Sequence, residues 1–165
     1  MNRIFAFSLV ALAVSSASAA PNPNGGGVGN AAATYDFSSF CGLASGIEAT
    51  LTGSAKVLTL PDNKQIYASP NQRITLVNNL TGTTVSYLIT GTSHYQTIAT
   101  TNGVDTYFVT SNGKNLLLVP AANGHPAGIF LTTGSVNFVV TSEGTEIRTF
   151  TGPGQVVDVC KVLTA

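Results

Sequence analysis

This chain could build a catalytic or metal site from its two histidines, two cysteines and seven acidic residues, together with its serines. A serine-based triad would draw on Ser93 or Ser111, His94 and Asp105, but neither serine lies in a Gly-x-Ser-x-Gly nucleophile elbow. His94 and His125 lack the His-x-His or His-Glu-x-x-His spacing that is typical of zinc sites. We therefore predict no metal or cofactor, and no triad with local sequence support.

Carboxylate chemistry would need two acids that converge in the fold and have different pKa values, as in glycosidases. Glu48 and Asp158 are the acids near the two cysteines. Asp158 is more typical of a residue that caps or anchors the chain terminus. A small extracellular hydrolase with an unrecognised site is therefore the second hypothesis for function.

The aromatic residues favour binding over catalysis. The chain has no tryptophan, so ring faces that stack on the apolar face of a sugar must come from tyrosines such as Tyr67 and Tyr87. Tyr95 and Tyr107 lie in adjacent predicted strands on either side of the Asn102-Gly103 turn, and we predict these two as binding residues. The alternative is a cross-strand pair that only packs.

Short β-strands must position these side chains, because apolar and polar residues alternate along most of the chain. Asn102-Gly103 and Asn112-Gly113 favour type I′ turns, so segments 94–100, 104–110 and 114–119 predict a three-stranded antiparallel meander. With the other alternating segments, about ten short antiparallel strands are expected. They predict an all-β domain, either a small barrel or a two-sheet sandwich.

Two segments, 107–109 and 116–118, are apolar on both faces and need a cover on the second face. If such strands line a cavity, the domain is a barrel that carries a small apolar ligand, which is the third hypothesis for function. After Gly152, the tail fits either a short helix or a final strand.

The N-terminus has the parts of a secretory signal peptide. Arg3 precedes an apolar stretch at 4–14, and Ala17-x-Ala19 provides a cleavage site. We predict a signal peptide at 1–20, a flexible Gly/Asn/Ala-rich leader at 21–36 and a β domain at 37–165. No later segment is long and apolar enough to span a membrane, so we expect a secreted, extracellular protein.

Export favours oxidation of the only two cysteines, Cys41 and Cys160, to one disulfide that joins the first and last elements. Asn79-Leu80-Thr81 is an N-glycosylation sequon, which matters if the host is a eukaryote.

Charged residues make up only 8% of the chain, against about a quarter in typical proteins. Without the signal peptide, six basic residues face seven acidic ones, which gives a net charge of about −1. The sequence therefore offers no basic patch for nucleic acid.

Four short motifs lie in the C-terminal half: TSNGKNLLLVP at 110–120, PAG at 126–128, GSVNF at 134–138 and GQVVDVC at 154–160. With the signal peptide and the early Cys41, they resemble a loose group of small uncharacterised secreted proteins from bacteria and fungi. Members of the group share a strand with a Gly-x-Asn-Leu-Leu-like motif and an Asp-x-Cys motif near the C-terminus. The resemblance implies the all-β architecture and the disulfide, and it implies no activity.

The first hypothesis for function follows from export, low charge and the closed β domain. We expect a secreted domain that acts by extracellular contact with a cell wall, a host or a neighbouring cell. Its partner would be an unidentified extracellular molecule or a polysaccharide.

Overall fold

The all-β prediction is confirmed by the structure, a computed structural model that describes residues 33–60 and 64–165. The predicted signal peptide and most of the predicted leader lie outside these residues. Thirteen antiparallel strands lie in the described part of the chain, together with a 3₁₀ helix, Ser38–Cys41, and one α-helix, α1, Val159–Thr164. The strands are β1 Ala33–Asp36, β2 Ile47–Thr52, β3 Lys56–Leu60, β4 Lys64–Ala68, β5 Gln72–Asn78, β6 Thr84–Ile89, β7 Thr92–Thr101, β8 Val104–Asn112, β9 Lys114–Val119, β10 Gly128–Thr133, β11 Val136–Thr141, β12 Glu146–Thr151 and β13 Gln155–Asp158.

The strands form three sheets, one more than the two-sheet sandwich that the sequence suggested. Their strand orders are β1-β2-β5-β6, β13-β10-β9 and β12-β11-β8-β7-β4-β3. The first strand, β1, pairs with β2 and begins inside the segment predicted as leader. Alternation decides which face of the four-stranded sheet is buried, since Ile47, Ala49 and Leu51 of β2 are inside while Glu48 and Thr52 are exposed.

The hairpin predicted at Asn102-Gly103 is present between β7 and β8. Both turn residues have positive φ, 52° for Asn102 and 79° for Gly103, as a type I′ turn requires. This hairpin forms the centre of the six-stranded sheet. It brings the neighbourhood of Tyr95 next to that of Tyr107.

The prediction that a third strand completes the meander is wrong, because β9 does not pair with β8. The chain turns at Gly113, where φ is 78° and an added Cβ would lie 3.1 Å from the Gly91 Cα, and β9 then pairs with β10 in the three-stranded sheet. The physical reason is the burial of three consecutive leucines. Leu116, Leu117 and Leu118 are all buried, so β9 needs apolar neighbours on both faces.

The three-stranded sheet supplies those neighbours by contacting both of the larger sheets. Leu116 and Leu118 of β9 belong to the core cluster that includes Ile74 and Leu76 of the four-stranded sheet. On the other side, the Phe130 ring of β10 lies edge-to-face against Phe150 of the six-stranded sheet, with ring centroids 5.5 Å apart. The domain therefore has two apolar layers, one on each side of β9 and β10.

The tail contains both elements that the sequence left open, strand β13 followed by helix α1. Asp158 caps the helix by accepting a hydrogen bond from the Lys161 N–H at 3.2 Å, which confirms its anchoring role. The predicted disulfide links Cys41 to Cys160, with Cα atoms 5.2 Å apart. A buried hydrogen bond of 3.0 Å from Asn78 to the Leu163 carbonyl also holds the helix against β5. Among the described residues, no helix is long and apolar enough to cross a membrane.

The disulfide should contribute a large part of the stability, because it closes a loop across a sequence separation of 119 residues. In the chain-entropy model, the Cys41→Ser/Cys160→Ser variant loses about 4 to 5 kcal/mol of free energy of unfolding. Urea unfolding of this variant beside the oxidised wild type measures the difference, and reduced wild type is the matched control. A loss below about 1 kcal/mol would show that packing alone fixes the termini.

Candidate functional site

The residues of the serine triad considered from the sequence lie on opposite faces of the six-stranded sheet. The Ser93 and Ser111 hydroxyls are buried and hydrogen-bond each other at 2.8 Å. His94 is the next residue of the same strand and is exposed on the other face. Asp105 instead accepts hydrogen bonds from tyrosine and threonine hydroxyls. No histidine is therefore placed to activate either serine.

The two acids considered as a catalytic pair are also apart. Asp158 caps α1, whereas Glu48 lies on the outer face of the four-stranded sheet opposite Asp36. Glu48 and Asp36 line a shallow cleft of about 290 Å3, and Asn79 of the predicted sequon lies at the same cleft. Asn79 is exposed and its backbone N–H donates to the Gly46 carbonyl at 2.7 Å. Among the described residues, no three His, Cys, Asp or Glu side chains cluster as metal ligands would.

His125 belongs to a clamp that the sequence did not predict. Glu146 of β12 is almost fully buried, with 5% of its side chain exposed, and its Oε1 atom accepts from Asn123 Nδ2 at 2.9 Å and contacts His125 Nε2 at 3.0 Å. Asn123-Gly124 forms a tight turn with positive φ at both residues, which presents His125 to Glu146. The clamp ties the loop between β9 and β10 to the edge of the six-stranded sheet.

Both ring nitrogens of His125 face acceptors, so the protonated imidazolium is the better partner in this clamp. The Pro126 carbonyl, 2.8 Å from Nδ1, is the larger influence that raises the pKa of His125, and the hydrogen bond with Glu146 raises it further. The clamp is a structural contact with a pH dependence. His125 and His94 lie on different elements, and the structure does not bring them together.

The predicted binding residues Tyr95 and Tyr107 do lie side by side, and Tyr67 extends them to a row of three rings. The Tyr67 and Tyr95 ring centroids are 5.0 Å apart, and those of Tyr95 and Tyr107 are 5.8 Å apart. Both contacts are edge-to-face, a favourable arrangement for aromatic pairs. The three residues come from β4, β7 and β8, and we call them the tyrosine strip.

The tyrosine strip crosses the boundary between the covered and the uncovered part of one sheet face. In one row of directly paired residues, Val136, Ser111 and Ser93 are buried, Tyr67 is half-buried and Val57 is 42% exposed. Exposure thus rises from β11 towards the edge strand β3. In the neighbouring row the rise begins at β8, where Val109 is buried; Tyr95 and Gln65 are half-buried and Thr59 is exposed, while Phe138 of β11 is half-buried.

Hydrogen-bonding groups lie beside the rings. The Tyr67 hydroxyl donates to Gln65 Oε1 at 3.0 Å, and the Tyr107 hydroxyl donates to Asp105 Oδ2 at 3.4 Å. Thr100 donates to the other oxygen of the Asp105 carboxylate at 2.6 Å. Each phenol oxygen therefore keeps lone pairs for a further donor while its proton is already engaged.

The phenols of Tyr67 and Tyr107 stay protonated well above neutral pH. Burial raises the pKa of Tyr67, and burial together with the nearby Asp105 charge raises the pKa of Tyr107. Thr97 lies directly opposite Tyr107, and its buried hydroxyl makes no hydrogen bond to any other described residue. The strip thus combines ring surface with the phenol oxygens of Tyr67 and Tyr107, which can each accept a further hydrogen bond.

Sequence reasoning named Tyr67 as a candidate ring but did not place it beside Tyr95, and it missed Glu146 as the partner of His125. Tyr67 reaches Tyr95 only because β4 pairs with β7, and no turn signal joins those strands. Glutamate is a residue type that is usually exposed, yet Glu146 is buried. Neither contact has a local signal.

No protein-family model, curated protein or solved structure matches the chain. The resemblance to small secreted proteins therefore stays a prediction.

The clamp predicts a pH-dependent stability. Because the folded-state pKa of His125 lies above the unfolded value of 6.5, its contribution is complete below pH 6.5 and disappears as the pH rises through the folded pKa. The free energy of unfolding of wild type should exceed that of His125→Gln most at acid pH, by less than about 1 kcal/mol because the ring is partly solvated. Urea unfolding from pH 5 to pH 9 measures this difference.

A double-mutant cycle provides the control for the clamp. In a Glu146→Gln background, the same His125→Gln substitution should lose part of its pH-dependent effect, since the hydrogen bond and charge of Glu146 are gone while the larger influence on the pKa of His125, the Pro126 carbonyl, remains. An equal pH dependence in both backgrounds would contradict the clamp.

Proposed function

We propose that the protein is a secreted binding domain that contacts carbohydrate chains through the tyrosine strip. The single observation that supports this function most is the row of three half-buried tyrosine rings on the uncovered end of a sheet face. Structural tyrosines that only packed the interior would be expected within the core cluster. Tyr35 and Tyr87 pack there, and the three residues of the strip do not belong to it.

The ring row fits a linear, hydroxyl-rich ligand. Aromatic rings offer apolar surface to the C–H face of a sugar, at a small cost in conformational entropy because each ring has two side-chain torsions. The three rings follow one another across β4, β7 and β8 at centroid distances of 5.0 and 5.8 Å, so a chain that crosses these strands would contact them in succession. A linear polysaccharide therefore suits the strip better than a compact ligand that needs an enclosed cavity.

The polar groups beside the rings support the same ligand class. Sugar hydroxyls are donors and acceptors, and the phenol oxygens of Tyr67 and Tyr107 can accept from them while Gln65 and Asp105 hold the phenol protons. Because the pKa values of Tyr67 and Tyr107 are raised, these two phenols stay uncharged near neutral pH. Asp105 is the charged residue hydrogen-bonded to the strip.

Extracellular location is part of this proposal. The disulfide between Cys41 and Cys160 is compatible with an oxidising compartment, and the predicted signal peptide at 1–20 is the route to it. Cell-wall polymers and the surfaces of host or neighbouring cells are the places where such chains are exposed.

The test is binding of the full chain, produced in an oxidising compartment, to chitin, cellulose and peptidoglycan. For the polymer that binds, Tyr95→Ala should raise Kd about tenfold, which is the loss of roughly 1.4 kcal/mol expected for an aromatic contact at the centre of an interface. Tyr95→Phe should retain most of the affinity, because it keeps the ring face.

The matched control is Phe108→Ala, which removes a ring from the opposite face of strand β8. It should leave the affinity unchanged while costing a similar amount of packing. Equal losses for Phe108→Ala and Tyr95→Ala, or no binding to any of the three polymers, would contradict the proposed site.

A further inference from the structure

The hairpin of β3 and β4 exposes aliphatic side chains between two lysines on the outer face of the six-stranded sheet. This face is opposite to the one that holds the tyrosine strip. Leu58 is 47% exposed and Leu60 is 41% exposed. Leu58 pairs directly with Ile66, and Leu60 pairs with Lys64. Together with Lys56 at the start of β3, these residues form what we call the hairpin face.

The charged side chains at described strand positions on the outer face of this sheet are all basic. Lys56, Lys64 and Arg148 occupy strand positions on it, and among residues 33–60 and 64–165 no carboxylate does. Glu143 lies in the turn that follows β11, off the strands. Every charged residue at a described strand position of this face is therefore basic, although the chain as a whole is close to neutral. Asp62, between β3 and β4 in the sequence, lies outside the described residues.

We propose that the hairpin face docks on an anionic lipid surface. The lysines would pair with anionic headgroups, and the exposed leucines would enter the boundary between headgroups and acyl chains, where buried apolar area and basic charge together determine binding. β3 is an edge strand with all five residues exposed, so its side chains can reach a flat surface without a clash from a neighbouring strand.

Two other occupants fit the hairpin face less well. A second copy docked face to face would bring the lysines of both copies together, and such like-charge contact is unfavourable. An acidic polysaccharide would satisfy the lysines but would gain little from Leu58 and Leu60, because aliphatic side chains do not stack on sugars as rings do. The pairing of exposed leucines with lysines favours lipid.

The experiment measures co-sedimentation of the full chain with phosphatidylcholine vesicles, with and without about one-third phosphatidylglycerol. Binding is expected only with phosphatidylglycerol and should weaken as salt is raised, because exposed charges are screened. Lys56→Glu/Lys64→Glu should lower the affinity more than tenfold, since each lysine contributes roughly fivefold before reversal. Leu58→Asn/Leu60→Asn should also lower it.

The matched control is Arg73→Glu/Lys114→Glu, which makes the same change in net charge at exposed residues on the other two sheets. It should bind as wild type does, and Tyr95→Ala should as well, which separates this proposal from carbohydrate binding. Thermal unfolding of each variant checks that it folds; the lysine variant alone decides the result if the leucine variant does not fold.

Three results would overturn the proposal. The first is equal binding to vesicles with and without phosphatidylglycerol, or no binding to either kind of vesicle. The second is an equal loss in both charge-reversal variants, which would indicate net charge rather than a face. The third is retention by soluble polygalacturonate without vesicle binding, which would assign the hairpin face to an acidic polymer.

Discussion

Strand β9 has to be buried on both faces, and the arrangement of the other strands follows from that constraint. Leu116, Leu117 and Leu118 are consecutive, so any strand that contains them points apolar side chains to both sides. Burying each leucine is favourable by about 1.5 to 3 kcal/mol relative to exposure, so neither face can remain in water without a large loss. The four-stranded sheet covers one side of β9 and β10, and the six-stranded sheet covers the other.

The tyrosine strip is a consequence of how these layers differ in size. A three-stranded sheet cannot cover the whole of a six-stranded one, and the part left over lies towards β3 and β4. Aromatic residues with polar tips suit such a border, since one end of the ring is dry and the other is wet. The same edge leaves the hairpin face in solvent on the other side of the sheet. The two proposed contact surfaces therefore lie back to back on β4, with Tyr67 on one side and Ile66 on the other.

Local signals in the sequence predict local structure well here. The Asn102-Gly103 turn and the alternation in β2 and β5 each depend on a few adjacent residues, and the structure contains all three. The choice of partner for β9 depends instead on which distant strands can bury it, so the second Asn-Gly pair was a misleading signal. For the same reason Tyr95 and Tyr107 could be paired from the sequence, whereas Tyr67 joins them only through the non-local contact of β4 with β7.

The most direct test of the account uses the five tyrosines of the chain as reporters, each labelled in its ring for NMR. During titration with oligosaccharides of the polymer that the protein retains, ring resonances of Tyr67, Tyr95 and Tyr107 should shift together and saturate. Those of Tyr35 and Tyr87, which pack against the core cluster, should stay in place. Shifts confined to Tyr35 or Tyr87, or saturating shifts of backbone amides elsewhere with the three strip rings unchanged, would contradict the assignment of carbohydrate contact to the tyrosine strip.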